Sequence, residues 1–342
     1  MSLREAIERA VSGEEVPPAL LGSAFQEIAA GRAGEAQIAG LLVALRAKGE
    51  TEGEIVAVAR ALRAAGRSAP CLDPRTVDTC GTGGDGAGSF NVSTTAAFIV
   101  AGAGVPVAKH GNRAASSRSG SIDVLEALGV AVDLPVEASA RILQEVGIAP
   151  FFAIRAHPAM RHVASVRRAL GVRTLMNCMG PLLNPLGVRR QLVGVYAKGL
   201  VEPLAGALGQ LGAVRALVVH GSDGLDEITT TGPTFAALLD DGRVQRFEIE
   251  PRALGVPEPP AGALAGGDAQ RNAEILRGVL AGEPGPCREI AALNAAAALF
   301  VAGAVPDLGE GLAAARQSLD SGAARRKLEA LIQASHRAVR AA

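Results

Sequence analysis

Apolar residues recur at helical spacing in four segments of the first 66 residues. The second segment opens on Pro17 and Pro18, which the first turn of a helix tolerates. The fourth opens on Thr51 with Glu54 three residues later, the spacing of an N-terminal capping box. Because only short stretches separate the four segments, the pattern predicts a small helical unit.

The pattern changes after Pro70, where short apolar runs alternate with helical segments. The runs that predict strands are TVDTCG, VPVAKHG, IAPFFAI, QLVGVYA and RALVVHG. This alternation favours an α/β unit with a largely parallel sheet. FAALLDDGRVQRFEI predicts a hairpin with an Asp-Gly turn, and Ala-rich helices follow it.

We therefore expect a small all-helical domain, residues 1–68, and a large α/β domain, residues 69–342. The large domain should have a mostly parallel central sheet flanked by helices. A segment near 168–188 is expected to complete the helical domain. A length of 342 residues supports two units, because single cores usually stop growing below this size.

Composition narrows the class of protein. Lys+Arg and Asp+Glu both number 34, so no global field attracts nucleic acid and any anion site must be local. The four cysteines form no C-x-x-C pair, which argues against a disulfide framework or zinc site and fits a reducing compartment. The start lacks an apolar signal core, and the longest apolar run, AAFIVAGAGVPVA, is too short to span a bilayer. We expect a cytoplasmic protein that binds neither nucleic acid nor membrane.

Glycine is concentrated between a predicted strand and a predicted helix, in DTCGTGGDGAGSFNVSTTAAF, residues 78–98. Five of the eight residues from Gly81 to Gly88 are glycine. Without Cβ atoms, backbone N–H groups can approach an anion, and the helix N-terminus adds partial positive charge. The polar residues that follow supply small hydrogen-bonding groups, which suits a phosphorylated ligand with a metal. A glycine cluster alone is often only a flexible loop, and the polar run argues against that alternative.

Two known phosphate motifs fit this stretch poorly. Gly81-x-Gly83-x-x-Gly86 formally matches the dinucleotide fingerprint, which requires an acidic residue about 20 positions later. The corresponding region, AGAGVPVA, contains no carboxylate. A P-loop requires Gly-Lys-Ser/Thr, and the first lysine after the glycines is Lys109.

Two further loops carry candidate chemistry. KHGNRAASSRSGSIDVLEALG, residues 109–129, is a basic, serine-rich connection, and two such loops suggest a ligand with two separated phosphate groups. In HGSDGLDEITTTG, residues 220–232, Asp226 and Glu227 follow a predicted strand and are candidate Mg²⁺ ligands. Either loop alone could be a solvated turn. The acidic pair Asp240-Asp241 is assigned to the hairpin turn, because no Gly-Thr-Thr loop follows it.

The motifs GTGGDG-x-x-x-x-NVST, KHGNR-x-x-SS-x-SGS-x-DVLEALG, HPAM-x-x-V-x-x-VRR-x-LG-x-RT, GPL-x-NP and DGLDE occur in this order. In these motifs the chain resembles the anthranilate phosphoribosyltransferases, from about residue 5 to residue 335. The resemblance implies transfer of the phosphoribosyl group of phosphoribosyl pyrophosphate (PRPP) to the amine of anthranilate in tryptophan biosynthesis, with release of pyrophosphate. It also implies Mg²⁺ as cofactor and a homodimer joined through the helical domain.

The resemblance also assigns site residues. The PRPP contacts fall on Gly81, Gly84, Asp85, Ser89, Asn91, Val92, Ser93, Thr94, Lys109, His110, Gly111, Asn112, Arg113, Ala114, Ala115, Ser116, Ser117 and Ser121. The metal ligands fall on Ser93, Asp226 and Glu227. The anthranilate contacts fall on Gly81, Asn112 and Arg167, with His110 and His157 near the acceptor. No residue is assigned as a general base, and the choice of Arg167 over Arg168 depends on the resemblance alone.

Departures from the family pattern are small. Met176, Cys178, Met179 and Leu183 stand where relatives commonly carry Phe, aliphatic residues and Thr, and Arg118 often is Lys in relatives. Two other functions share this architecture: a non-enzymatic nucleic-acid-binding relative and a pyrimidine nucleoside phosphorylase. The neutral net charge and the residues Asn112 and Arg167 speak against the first, and the HPAM…VRR and DGLDE segments speak against the second.

Overall fold

The structure is a computed structural model that describes residues 2–114 and 118–341. The helices are α1 (Ser2–Val11), α2 (Pro18–Ala29), α3 (Glu35–Lys48), α4 (Glu52–Ala64), α5 (Val92–Gly102), α6 (Ser121–Ala127), α7 (Val136–Val146), α8 (Ala153–Ala156), α9 (Arg161–Leu170), α10 (Met179–Leu182), α11 (Val201–Gln210), α12 (Ala269–Leu280), α13 (Pro286–Ala302), α14 (Leu308–Asp320) and α15 (Ala323–Arg340). The strands are β1 (Val77–Gly81), β2 (Val107–Gly111), β3 (Ile148–Phe152), β4 (Arg190–Gly194), β5 (Arg215–Gly221), β6 (Thr234–Asp240) and β7 (Arg243–Ile249). Short 3₁₀ turns lie at 158–160, 175–178, 198–200 and 251–254.

The first four helices pack around a shared apolar core that includes Leu21, Phe25 and Leu45. The predicted capping box is present at the start of α4: Thr51 Oγ1 accepts from Glu54 N, and Glu54 Oε2 accepts from Thr51 N. Glu54 is fully buried and also accepts from Val16 N and from Lys48 Nζ, each at 2.9 Å. This single carboxylate therefore ties α4 to α3 and to the loop before α2.

The seven strands form one sheet in the order β3-β2-β1-β4-β5-β6-β7. Strands β1 to β5 pair in parallel, while β6 and β7 join as an antiparallel hairpin. The mostly parallel sheet flanked by helices, next to a helical unit, confirms the predicted fold class. After β3 the chain returns to the other side of β1, so the direction of strand succession reverses between β1 and β4. Ligands of open α/β sheets bind at such a reversal, outside the carboxyl ends of the strands.

Both faces of the sheet are covered. On one face α5 packs against α13, which is buried along almost its whole length through the alanines of its middle turns. On the other face α11 packs on β5 and β6 and also contacts α4, so the core under this face is continuous with that of the helical unit. The sheet is therefore fixed on both sides, and its carboxyl edge is rigidly placed.

The connection from β3 to β4 consists of short pieces that the sequence pattern did not predict, apart from α9. Helix α9 packs against α2 and α3. Leu175, Met176, Leu182 and Leu183 join the apolar core of the helical unit. The division of the chain at residue 68, with completion of the helical domain near 168–188, stays a prediction, and these contacts agree with it.

The hairpin of β6 and β7 turns at Asp241 and Gly242, with φ of 43° and 82°. Positive φ at both positions is the geometry that Asp-Gly favours, so this acidic pair belongs to a turn, as predicted. Strand β7 lies at the edge of the sheet and is exposed along most of its length, with Arg243, Arg246 and Glu248 on it. In the described ranges, no helix combines the length and the apolar character needed to cross a membrane.

Candidate active site

A cavity of about 570 Å³ lies at the carboxyl ends of β1 and β2. All predicted site residues within the described ranges line it: Gly81, Gly84, Asp85, Ser89, Asn91, Val92, Ser93, Thr94, Lys109, His110, Gly111, Asn112, Arg113, Ala114, Ser121, His157, Arg167, Asp226 and Glu227. Ala115, Ser116 and Ser117 lie outside the described residues. A second cavity of about 470 Å³, beside Thr230 and Arg316, is lined by none of these site residues. The chemistry of the chain therefore converges on the first cavity.

Two glycines at strand ends make room for the loop after β5 that carries Asp226 and Glu227. Gly81 ends β1, Gly194 ends β4, and the two are paired in the ladder. A Cβ on Gly81 would lie 2.4 Å from Asp226 Oδ2, and a Cβ on Gly194 would lie 1.6 Å from the Asp226 carbonyl oxygen. A side chain at position 194 would collide with the Asp226 backbone, and one at position 81 would displace the Asp226 carboxylate. The two glycines therefore let the Asp226–Glu227 pair sit where the strand order reverses.

Glu227 is buried and Asp226 is half-buried, and each carboxylate accepts few hydrogen bonds. Asp226 Oδ2 accepts from Gly83 N at 2.7 Å, and Glu227 Oε1 accepts from Ser93 N at 3.0 Å. Burial, followed by the charge of Asp85, raises the pKa of Asp226 to about 7. Burial, followed by the charge of Asp226, raises the pKa of Glu227 to about 8. The nearby Lys109 lowers the pKa of Glu227 and so offsets only part of the negative charge at this edge.

A divalent cation fits this donor set. Mg²⁺ is typically held by one or two carboxylates, water and substrate phosphate oxygens. The described ranges hold no cluster of three or more His, Cys, Asp or Glu side chains that could bind a metal unaided. Asp226 and Glu227, with Ser93 hydrogen-bonded to Glu227, instead offer the partial set of oxygen ligands that a phosphate-bound Mg²⁺ needs.

Lys109 is the buried cation of the site. It is 3% exposed, and its Nζ donates to the Thr79 carbonyl and lies 3.5 Å from Ser93 Oγ. Burial lowers the pKa of Lys109, while Asp78 and the other nearby acidic groups raise it. Strand β2 thus places a positive charge directly beside the start of α5 and the acidic pair.

His110 and His157 stack edge to face, with ring centroids 5.6 Å apart. His110 Nδ1 lies 3.0 Å from the Gly180 carbonyl, and His157 Nε2 lies 2.6 Å from the Leu183 carbonyl. Burial lowers the pKa of both rings, that of His110 to about 3, so both are neutral at pH 7 and donate to these carbonyls. This leaves the pair poorly suited to carry a proton as histidinium.

The two neighbouring arginines of α9 differ in position. Arg167 is half-buried and lines the cavity, whereas Arg168 is exposed and does not. Burial lowers the pKa of Arg167. Within the described ranges no carboxylate forms an ion pair with Arg167. The geometry therefore separates two residues that the sequence alone left equivalent, and it leaves Arg167 open to an acidic ligand.

The basic connection between β2 and α6, called the basic loop below, does not leave all its cationic side chains free to meet a ligand. Asn112 and Arg118 are exposed on the cavity wall. Arg113 also lines the cavity, but its guanidinium is held by Glu126 and Asp123 of α6 and lies 5.6 Å from the centroid of the Phe152 ring. Its contact with PRPP stays a prediction.

Three residues that support the site were missed by sequence reasoning. Arg173 donates to the Gly84 carbonyl, and its guanidinium lies 4.5 Å from the centroid of the Tyr196 ring. Gly267 and Asn272, at the start of α12, also line the cavity. The glycine-rich loop between β1 and α5, called the glycine loop below, is hydrogen-bonded to the segment before α12. Phe90 N donates to the Leu264 carbonyl, and Gly266 N donates to the Gly88 carbonyl. The only local signal was Gly266-Gly267-Asp268 before a helix, which is also an ordinary cap sequence.

Comparison with known proteins agrees with this geometry. The helical bundle domain of the glycosyl transferase family matches residues 4–66, and the a/b domain of the same family matches residues 73–325. The anthranilate phosphoribosyltransferase of Moorella thermoacetica is 52% identical over 330 residues, which cover 96% of this chain and 97% of that protein.

Solved structures of anthranilate phosphoribosyltransferases are closely similar to the structure of this chain. The crystal structure of anthranilate phosphoribosyltransferase from Thermus thermophilus has a TM-score of 0.91 and 43% identity, covering 97% of this chain and 99% of that one. The enzyme of Saccharomyces cerevisiae in complex with PRPP and Mg has a TM-score of 0.89 and 27% identity, with 98% of both chains covered. Its complex with 4-fluoroanthranilate has a TM-score of 0.88 and 26% identity, with the same coverage.

The two matched domains place the chain in the glycosyl transferase family with a helical bundle domain and an a/b domain. The near-full-length relatives fix the reaction more narrowly. The chain belongs to the anthranilate phosphoribosyltransferase family, whose members act in tryptophan biosynthesis. Neither of the two alternative functions considered from the sequence is favoured by these matches.

Proposed function

We propose that the cavity binds PRPP along the glycine loop and the basic loop and anthranilate beside Arg167, and that it transfers the phosphoribosyl group between them. One observation carries this proposal: a single cavity is lined by both loops, the Asp226–Glu227 pair and Arg167. The complexes of the yeast enzyme with PRPP and Mg and with 4-fluoroanthranilate support the choice of ligands.

The backbone is arranged to receive phosphate. The glycine loop opens directly into α5, and the side chain of Asn91, the N-cap residue, makes no capping hydrogen bond to this helix. The N–H groups at the start of α5 and in the loop can therefore face an anion, with the helix dipole adding attraction. Lys109 stands behind them as a fixed positive charge.

Mg²⁺ would be held by Asp226, Glu227 and Ser93, together with oxygens of PRPP. When bound, it supplies positive charge to the leaving pyrophosphate. The protein's own part is to hold the buried Glu227 and the half-buried Asp226 with few hydrogen-bond partners in the absence of the ion. It also holds Ser93 beside them through the Ser93 N–H bond to Glu227.

Displacement at ribose C1 passes through an oxocarbenium-like state, as in glycoside cleavage. Negative charge grows on the pyrophosphate, where Lys109 and the loop amides stabilise it. Arg167 holds the carboxylate of anthranilate, since a guanidinium pairs well with that group, and thereby orients the amine toward C1. The neutral His110 and His157 fit a wall of the acceptor site. The aromatic amine loses its proton readily once bonded to carbon, so no general base is required.

The proposal is tested by incubating the protein with PRPP, Mg²⁺ and anthranilate and following the loss of anthranilate fluorescence. Arg167→Ala should raise the KM for anthranilate about 10- to 100-fold, as expected for loss of a charged pair, with little change in the KM for PRPP. Arg168→Ala is the matched control and should leave both values unchanged. An unaltered anthranilate KM in Arg167→Ala would remove this arginine from the acceptor site.

We also propose that two copies associate through the helical domain. Helices α1 and α3 pack against each other and expose Val11 (71%) and Val43 (43%), although most apolar residues of α3 are buried. Exposed apolar side chains of this kind are covered in many homodimer interfaces. Sedimentation equilibrium should show dimers for the unaltered chain and monomers for Val43→Glu; dimers that persist in the variant would place the interface elsewhere.

A further inference from the structure

Asn272 of α12 is a buried asparagine, 2% exposed, that reaches the rim of the cavity from 181 residues beyond Asn91. Its Oδ1 accepts from Gly267 N at 2.7 Å, and its Nδ2 donates to Asn91 Oδ1 at 2.9 Å. The sequence motifs do not include Asn272, and its place in the cavity wall does not by itself give it a role. Its bonds connect the segment before α12 with the residue that opens α5.

These bonds fix which way round each amide lies. A backbone N–H can only donate, so the atom of Asn272 that faces Gly267 N must be its oxygen. The nitrogen of Asn272 then faces Asn91, and the atom of Asn91 that meets it must be Oδ1. Ser119 Oγ donates to the same oxygen at 3.3 Å. The orientation of the Asn91 amide is thus determined by the backbone N–H of Gly267, through the two hydrogen bonds of Asn272.

The consequence is that Asn91 presents its nitrogen to the rest of its surroundings. One hydrogen of Asn91 Nδ2 is directed to the Ser119 carbonyl at 3.3 Å. In the ranges 2–114 and 118–341 no acceptor takes the other hydrogen, and Asn91 lines the cavity. An amide N–H attracts an anionic oxygen, whereas the same amide reversed would present a carbonyl oxygen and repel it.

We infer that Asn272 is a positioning residue, which holds the Asn91 amide with its N–H toward an anionic oxygen of PRPP. The inference rests on the proposed placement of PRPP along the glycine loop. It adds α12 to the elements that determine substrate affinity, and it assigns Asn91 the role of donor. It also explains why Asn91, although an N-cap residue, does not cap α5: its Oδ1 is already occupied by Asn272 and Ser119.

Asn272→Asp is the decisive variant. An aspartate can still accept from Gly267 N but cannot donate to Asn91 Oδ1, so the support of the loop is kept and the orientation of Asn91 is lost. We expect the KM for PRPP to rise about tenfold or more, the scale of one hydrogen bond to a charged group. The KM for anthranilate should stay within about twofold. Because the added charge itself repels PRPP, a higher KM supports the inference only if the double variant with Asn91→Ala is no worse than Asn91→Ala alone. An unaltered KM for PRPP in the aspartate variant overturns the inference.

Two controls separate the inference from simpler effects. Val279→Ala weakens the packing of the same helix without touching the cavity and should leave the KM for PRPP unchanged. Asn91→Ala should raise the KM for PRPP at least as much as Asn272→Asp, and the double variant should be no worse than Asn91→Ala alone. A double variant with multiplied effects would mean that Asn272 does not act through Asn91.

The possible failures are distinguishable. If Asn91→Ala leaves the KM for PRPP unchanged, the proposed placement of PRPP is wrong and the inference falls with it. If Asn91→Ala raises this KM and Asn272→Asp does not, only the inference is wrong. Should Asn272→Asp not fold, Ser119→Ala decides the matter, since it removes the other donor to Asn91 Oδ1 and leaves α12 intact. A two- to threefold rise in the KM for PRPP supports the inference in that case, and an unchanged value overturns it.

Discussion

Two glutamates of this chain are both buried and differ in almost everything else. Glu54, in the helical unit, accepts hydrogen bonds from Val16 N, Thr51 N and Lys48 Nζ. Glu227, at the carboxyl edge of the sheet, accepts one, from Ser93 N, and lies next to the acidic Asp226. The first carboxylate has its charge and its lone pairs matched by the protein; the second has most of them unmatched.

The difference shows how burial serves two purposes. A buried carboxylate with three donors and an ammonium partner fixes a fold, because breaking its set leaves charges stranded. A pair of carboxylates, one buried and one half-buried, with one donor each is a cost to the folded state, and it is kept where a ligand later supplies the missing charge. Location in the sheet agrees with this reading, since the acidic pair occupies the reversal of strand order and Glu54 does not.

Neutralising Asp226 and Glu227 should have the largest effect of the changes that test this comparison. Asp226→Asn combined with Glu227→Gln should lower kcat/KM about 1000-fold or more, because several kcal/mol of charge stabilisation are lost. The same variant should unfold at a higher temperature than the unaltered chain when Mg²⁺ is absent, since an uncompensated buried charge is removed. The fluorescence assay and thermal denaturation measure the two effects.

The hairpin turn offers a matched control for this variant. Asp240→Asn with Asp241→Asn changes an exposed acidic pair that also follows an apolar run, and asparagine tolerates the positive φ of position 241. Activity should stay within about twofold, because only an exposed contact with Arg215 is lost. Normal Mg²⁺-dependent turnover in the Asp226/Glu227 variant would show that the pair is not a metal site.

The opposite outcome is expected for Glu54. Glu54→Gln should reduce the free energy of unfolding by about 3 kcal/mol, because Lys48 is left buried without its partner. The kcat of the folded protein should not change. Urea denaturation followed by circular dichroism measures the first quantity. A variant that keeps full stability but loses turnover would reverse the assignment of roles to the two glutamates.

The smallest effect is the pH dependence of stability. The pKa values of Asp226 and Glu227 are raised in the folded state to about 7 and 8, so the folded chain retains protons that the unfolded chain has released. Stability should therefore fall as pH rises from about 4, where the unfolded carboxylates ionise, through the folded pKa values, with about 2 kcal/mol of this loss between pH 6.5 and 8. Lys109, whose pKa burial lowers, contributes the opposite sign. The quantity to measure is thus the difference in slope between the unaltered chain and the Asp226→Asn, Glu227→Gln variant.

Addition of Mg²⁺ with pyrophosphate should flatten that slope, because a bound cation keeps both carboxylates ionised at the lower pH. A slope equal in the two proteins, with or without these ions, would mean that the acidic pair is adequately solvated in the folded chain. The comparison with Glu54 would then lose its physical basis.

Much of the fold followed from local pattern. The helices α1 to α4, the strands and the Asp-Gly hairpin each have the periodicity or turn chemistry that predicts them, and the family motifs selected residues that line one cavity. The short pieces between β3 and β4 did not follow, because Met, Cys, Gly and Pro in LMNCMGPLLNP give no period of 2 or 3.6. Their conformation is set by packing against α3 and α4 rather than by propensity.

The contacts in the site that the sequence did not predict also depend on tertiary packing. Arg113 looked free in a basic loop, yet Glu126, 13 residues later, holds its guanidinium. Asn272 looked like an ordinary position near a helix start, and its partner Asn91 is far away in the chain. Contacts of this range depend on how whole elements are placed, and a single sequence carries no local signal for them.

Strand β7, at the edge of the sheet, limits the ways in which two copies of this chain can associate. Its outer side offers unpaired backbone groups, yet Arg243, Arg246 and Glu248 stand along it. Charged side chains along an edge strand disfavour the addition of a further strand from another chain. Two copies are therefore not expected to associate by pairing their β7 edge strands, and any oligomer must form through other surfaces of the molecule.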